Sequence, residues 1–90
     1  MDEQTQEVMA FVADRATRVR RDRGVSIAQL AQRSKIEEPA LEAILRGEGN
    51  LRIQTVFRLA AALEVTPATL LRGIEWVPDA GGGGHFEIED

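Results

Sequence analysis

The fold is decided by residues 26–47, which read SIAQLAQRSKIEEPALEAILRG. Their pattern predicts two short helices, over 26–33 and 37–46, joined by a tight turn. Ser26 is a favoured N-cap residue before the first of these helices, and Gly47 is typical of the residue that ends the second. The apolar anchors at helical spacing are Leu30, Ala31, Ile36, Leu41 and Ile44.

Apolar periodicity predicts three further helices around this pair. A long amphipathic first helix is expected over residues 5–23, ended by Gly24. A fourth helix follows the pair, and Thr66 with Pro67 predicts the start of a short fifth helix that Gly73 closes. The expected inner residues of the last two helices are Ile53, Val56, Leu59, Ala60 and Leu63, then Leu70 and Leu71.

The residues after 73 change in character. Residues 74–77 and 86–89 each alternate with period two, and a proline and four consecutive glycines lie between them. This pattern predicts a short β-hairpin whose apolar side chains rest on the helices or on another chain. A loosely packed extension is the alternative, because ordering four glycines costs much entropy. We therefore divide the chain into a helical domain, 1–73, and an acidic, glycine-rich extension, 74–90.

The net charge of −4 hides an uneven distribution along the 90 residues. Residues 1–14 carry −4, residues 15–73 carry +5 and residues 74–90 carry −5. A basic module between acidic ends is compatible with a polyanionic partner, which the total charge would argue against. The absence of cysteine excludes a disulfide framework. With no membrane-length apolar run and no signal-peptide pattern, the sequence predicts a soluble cytoplasmic protein.

Catalytic and metal-binding patterns are not apparent in the sequence. The single histidine, His85, lies beside the glycine run, where a tail residue is a simpler interpretation than a ligand. The glycines lack the strand–loop–helix context and the lysine of a phosphate-binding loop. The aromatic residues Phe11, Phe57 and Trp76 are expected in the core or in a dimer contact. The sequence therefore predicts neither an enzyme, nor a metal site, nor a cofactor.

A helix pair with the spacing of residues 26–47 is typical of the helix-turn-helix, whose second helix is offered to the major groove of DNA. An ordered set of residues extends the likeness over 16–73. It comprises Val25, Ser26, Leu30, Ala31, Ile36, Leu41, Ile44, Arg46, Gly47, Val56, Leu59, Ala60, the run ALEVT at 62–66, Leu70 and Leu71. On these residues the chain resembles the phage-repressor/Cro-type helix-turn-helix family, the XRE-family transcriptional regulators. The resemblance implies an all-α, five-helix lambda-repressor-like domain that binds double-stranded operator DNA, usually as a homodimer.

The resemblance also implies which residues would contact DNA. The base-reading candidates are Ile27, Glu37, Glu38, Pro39 and Glu42, and the phosphate candidates are Arg20, Arg21, Ser26, Arg46, Asn50 and Arg52. Two features depart from the family pattern. Lys35 stands where a glycine usually makes the turn, and Leu45 replaces a frequent glutamate, which leaves Arg20 available to another partner.

The acidic third helix keeps two functions open. Glutamate only accepts hydrogen bonds, so as a base reader it is restricted mainly to the amino group of cytosine. In the first hypothesis the chain is a homodimeric transcriptional regulator that inserts its third helix into the major groove. In the second, the scaffold is a protein-interaction module whose third helix binds a protein with a basic surface, such as a toxin, a polymerase subunit or another regulator.

Overall fold

The computed structural model describes residues 3–49 and 51–89. Within them lie five helices followed by a two-stranded antiparallel sheet. The elements are α1 (Glu3–Asp22), α2 (Ile27–Ser34), α3 (Glu38–Leu45), α4 (Ile53–Leu63), α5 (Pro67–Leu71), β1 (Ile74–Pro78) and β2 (Gly84–Ile88). The five-helix prediction is confirmed, and the extension forms the predicted hairpin rather than a loose tail.

The core lies where the helices converge. Its largest fully buried side chains are Leu30, Leu41, Leu59, Leu63, Leu70 and Val12, which come from all five helices. Burial of each such side chain contributes about 1.5–3 kcal/mol relative to exposure. Of the five predicted anchors of the helix pair, Leu30 and Leu41 are fully buried, whereas Ala31, Ile36 and Ile44 are half-buried against this core.

The helix ends follow the expected signals. The Ser26 side chain accepts a hydrogen bond from the Gln29 backbone, and the Gln29 side chain accepts one from the Ser26 backbone, which completes a capping box. Thr66 caps α5 by accepting from the backbone N–H of Thr69. Beyond the end of α3, Gly47 has a left-handed φ of 78°, and a side chain there would press on Ala10 of α1.

Among the described residues, three large apolar side chains are exposed. Ile53, predicted to lie inside, is 63% exposed, because periodicity gives a direction around α4 but not how far the core extends along it. Phe57, one turn later on the same face, is 54% exposed, and so is Trp76. Phe57 and Trp76 are therefore not core residues of this chain, and a dimer contact stays a prediction. Phe11 is half-buried.

The hairpin is attached to the helical domain at two places. Its register pairs Ile74 with Ile88 and Trp76 with Phe86. At its open end, the Glu89 N–H donates to the Gly73 carbonyl oxygen at 2.7 Å. On its outer side, the Gln4 side chain of α1 makes two hydrogen bonds to the Phe86 backbone, each at 3.0 Å. These contacts order a two-stranded sheet that would be marginal by itself.

Candidate nucleic-acid interface

Helix α3 is attached to the bundle by one face. Leu41 is its one fully buried residue, while Glu38, Pro39 and Glu42 are exposed. Ala43, Ile44 and Leu45 are half-buried and complete the inner side. The predicted reading helix is therefore neither buried in the core nor covered by the other residues that the structure describes.

The corner between α2 and α3 holds this orientation. Lys35 adopts a left-handed backbone with φ 62° and ψ 28°, a conformation that costs a non-glycine residue roughly 1–2 kcal/mol. The preceding Ser34 is buried, and its Oγ donates to the Ala31 carbonyl at 3.5 Å and accepts from the Ile36 N–H at 3.4 Å. The turn expected from the sequence is thus made without a glycine, and a buried hydroxyl bridges its two sides.

The base-reading candidates differ in how much of each side chain is available. Glu37 is the N-cap of α3 but makes no side-chain cap hydrogen bond, so its carboxylate is not used within the helix. Glu38, Pro39 and Glu42 lie on the exposed face. Ile27, the first residue of α2, is half-buried and packs against the core. The structure brings the three carboxylates and Pro39 onto α3 and its N-cap, with Ile27 on the neighbouring helix.

Arg20 is the most constrained of the phosphate candidates. Its Nη1 donates to the Val25 carbonyl at 2.9 Å, which supports the loop before α2. Its Nε is buried without a hydrogen-bond partner among the described residues. The partner that the sequence left open for Arg20 is therefore this backbone carbonyl.

The other phosphate candidates are more accessible. Arg21 in the last turn of α1 and Arg52 at the N-cap of α4 are exposed. Arg46, just after α3, forms an exposed ion pair with Glu48, with Nε and Oε2 3.3 Å apart. Ser26 accepts its capping hydrogen bond with Oγ, so its hydroxyl proton stays available as a donor. Asn50 lies outside the described residues.

Arg15 of the basic module makes structural contacts within the chain that the sequence did not reveal. The Nη1 of Arg15 donates to the Thr69 carbonyl at 2.8 Å, and its guanidinium lies 5.2 Å from the centre of the Phe11 ring. Arg15 therefore connects α1 to α5 and also stacks on an aromatic ring of its own helix. The spacing of Phe11 and Arg15, one helical turn apart, was the available signal.

Among the described residues, the acidic extension makes no ion pair with the basic module. Where residues are described, the salt bridges are Arg18–Asp14, Arg46–Glu48 and the contacts of His85 with Asp79 and Glu87. All of these are local in sequence. No group of three or more potential metal ligands converges within residues 3–49 and 51–89, and no helix there has the length and apolar character needed to cross a membrane.

Comparison with solved structures gives consistent neighbours. The restriction-modification controller protein C.AhdI from Aeromonas hydrophila superposes with a TM-score of 0.66 at 26% identity, over 69% of this chain and 94% of that chain. The hypothetical transcription factor NHTF from Neisseria gives 0.68 at 27% identity, over 74% and 77%. SinR, the master regulator for biofilm formation, in its complex with DNA, gives 0.61 at 30% identity, over 67% and 97%.

Sequence comparison adds the family. Among curated protein sequences, no relative matches this chain significantly. The sequence model of the Cro/C1-type HTH DNA-binding domain, however, matches residues 15–79, which include all of α2 to β1 and the C-terminal part of α1. With the ordered helix pair, the left-handed corner and the exposed third helix, this match shows that the chain belongs to the Cro/C1-type HTH DNA-binding domain family.

Proposed function

We propose that the chain is a transcriptional regulator that places α3 in the major groove of double-stranded operator DNA and acts as a homodimer. The observation that carries this proposal is the exposure of the outer face of α3 on a module with a charge of +5 between residues 15 and 73. With this role, the protein would act in the cytoplasm.

Phosphate contacts supply most of the binding free energy in this proposal. Arg21 and Arg52 are exposed and unpaired in the described part of the chain, and Arg46 can exchange its exposed partner Glu48 for a phosphate. Each phosphate that the protein neutralises steepens the slope of the logarithm of the binding constant against the logarithm of the salt concentration by about 0.9. We expect Arg20 to contribute less, because its guanidinium already supports Val25.

In this proposal the acidic residues of α3 recognise the bases. Glu38 and Glu42 lie one helical turn apart on the exposed face and can accept a hydrogen bond from the N4 amino group of cytosine. Carboxylates also repel the neighbouring phosphates, so we expect modest affinity with strong salt dependence and a preference for sites that present cytosine to α3.

The dimer would use the apolar stripe of α4 formed by Ile53 and Phe57. These side chains are 63% and 54% exposed and lie one turn apart on the side of α4 away from the core. A second copy would bury them, and a two-fold axis would place two α3 helices to read half-sites about 34 Å apart.

Fluorescence anisotropy on a random duplex library and on selected duplexes, at two salt concentrations, tests the proposal. We expect Arg52→Gln to weaken binding to all duplexes several-fold and to reduce the salt slope by about 0.9, since it removes one phosphate contact. Glu42→Gln is expected to change the preferred sequence instead, because an amide can also donate. Arg18→Gln is the matched control, since Arg18 is exposed but paired with Asp14 on α1.

Absence of duplex binding at low salt would overturn the DNA-binding proposal. The second hypothesis, a protein partner on α3, then makes a distinct expectation: Glu38→Arg and Glu42→Arg would abolish capture of a basic protein. If these variants bind that partner unchanged, α3 is not its docking surface.

A further inference from the structure

The two edges of the hairpin differ in their hydrogen bonding to the rest of the chain. Hydrogen bonds from Glu89 N–H to the Gly73 carbonyl and from Asp79 N–H to the Gly83 carbonyl bracket the β1–β2 ladder. Because hydrogen-bonded and non-hydrogen-bonded pairs alternate along an antiparallel ladder, the backbone groups of the pair formed by Trp76 and Phe86 point outward, away from each other's strand. These two residues occupy the same rung on opposite edges.

At this residue pair the outward backbone groups of β2 are hydrogen-bonded to α1, whereas those of β1 have no partner among the described residues. On β2, the Gln4 amide donates to the Phe86 carbonyl and accepts from the Phe86 N–H, both at 3.0 Å, as a neighbouring strand would. On β1, the outward N–H and carbonyl of Trp76 have no hydrogen-bond partner in the part of the chain that the structure describes. We call the outward backbone of Ile74 and Trp76, with the side chains of residues 74–77, the β1 edge.

The two faces of the β1 edge have different chemistry. On one face lie Ile74 and Trp76, and Trp76 is 54% exposed although its ring makes a T-shaped contact with the Phe86 ring, with 5.0 Å between ring centres. On the other face Glu75 stands directly opposite Glu87, an arrangement of like charges that destabilises a strand pair. An incoming strand would therefore gain from an apolar residue on the first face and a cation on the second.

We propose that the β1 edge takes up an extended segment of another protein in which apolar and basic residues alternate, so that the segment adds a third strand to the sheet. Main-chain hydrogen bonds to Ile74 and Trp76 would hold the segment, and a lysine or arginine beside Glu75 would relieve its repulsion with Glu87. A second copy of this chain is disfavoured as occupant, since it would bring together two extensions that each carry −5 over residues 74–90. The proposal is independent of the DNA-binding function.

The test uses Trp76, the only tryptophan of the chain, as a reporter. A short synthetic peptide of alternating valine and lysine is titrated into the full-length protein without DNA, and binding is followed by tryptophan emission and by anisotropy of a labelled peptide. We expect a saturable blue shift. A peptide of alternating valine and glutamate, and the valine–lysine peptide N-methylated on alternate residues, are each expected to bind at least tenfold more weakly.

Matched charge variants locate the site. Glu75→Lys is expected to weaken binding of the valine–lysine peptide several-fold, whereas Glu64→Lys, an equal charge change at the exposed end of α4, leaves it unchanged. Equal binding of the N-methylated peptide, or no binding by the native protein, would overturn the proposal and would mean that Glu75 and Pro78 protect this edge against pairing. Self-association that the peptide reverses in sedimentation experiments would also overturn it, in favour of a second copy.

Discussion

The helical domain and the hairpin reach an ordered structure in different ways. In residues 3–49 and 51–73 order comes from a shared interior, in which Leu30, Leu41 and Leu59 are fully buried. In residues 74–89 the largest side chain, Trp76, is 54% exposed, and order comes from a few attachments to the helices. Stability in the first region is thus spread over many contacts, whereas in the second it depends on single residues at the junction.

The largest expected effect at the junction is that of Gly73→Ala. Gly73 has φ 97°, and an added Cβ would collide with the Glu89 carbonyl oxygen and lie 3.2 Å from Phe11. We expect a cost of about 1–3 kcal/mol from the backbone alone, so the hairpin should detach while the helices stay folded. Tryptophan emission should shift to longer wavelength, and the helical circular dichroism should be retained.

Gly81→Ala is the control for this substitution. Gly81 lies in the hairpin loop, and a Cβ there has open space around it. Its emission and thermal unfolding should match the native protein. Loss of helical signal in Gly73→Ala would contradict the division into a self-sufficient domain and an attached hairpin.

A smaller effect of opposite sign is expected within the helical domain, at Lys35. Its left-handed backbone costs roughly 1–2 kcal/mol for a residue with a side chain, while glycine loses about 0.5–1 kcal/mol through the entropy of the unfolded chain. Lys35→Gly should therefore raise the free energy of unfolding by up to about 1.5 kcal/mol, measured by urea denaturation. Arg33→Gly, inside α2, should lower it by about 1 kcal/mol; equal effects at the two positions would refute the strain at Lys35.

The comparison also explains what the sequence could and could not reveal. Helices were predictable because their signals are local: Ser26, Thr66 and Pro67 mark starts, and Gly24 and Gly73 follow ends. Even the left-handed corner was readable in outline, as a position where glycine is usual. The contacts that form the left-handed corner and the hairpin junction could not be predicted. The buried Ser34 hydroxyl acts across a turn, and the Gln4 amide contacts a residue near the other end of the chain.

The exact bounds of the two hairpin strands also could not be predicted from the sequence. The alternation predicted strands over 74–77 and 86–89, whereas the structure extends β1 to Pro78 and starts β2 at Gly84. Proline is tolerated at this place because position 78 points its backbone nitrogen away from β2, where no ladder donor is needed. Gly84 is required because a side chain would collide with the Trp76 ring and the Val77 carbonyl.

The smallest expected effect concerns protonation of His85 in the hairpin. Its Nε2 lies 3.2 Å from a Glu87 oxygen and its Nδ1 lies 3.3 Å from an Asp79 oxygen, and both nitrogens can donate only when the ring is protonated. The hydrogen bond to Glu87 raises the pKa of His85 above its ordinary value of about 6.5, and Asp79 acts in the same direction, while desolvation opposes them.

Because the folded-state pKa is the higher one, this stabilisation of the hairpin is complete below the ordinary pKa of histidine and is lost as the pH rises through the raised value. Nuclear magnetic resonance of the His85 ring should give a midpoint above the ordinary value, and Glu87→Gln should bring it down. Tryptophan emission should report slightly looser packing at the alkaline end in the native protein but not in His85→Gln. A midpoint at or below the ordinary value would mean that the two carboxylates do not hold the ring, and that Gln4 and Gly73 alone order the hairpin.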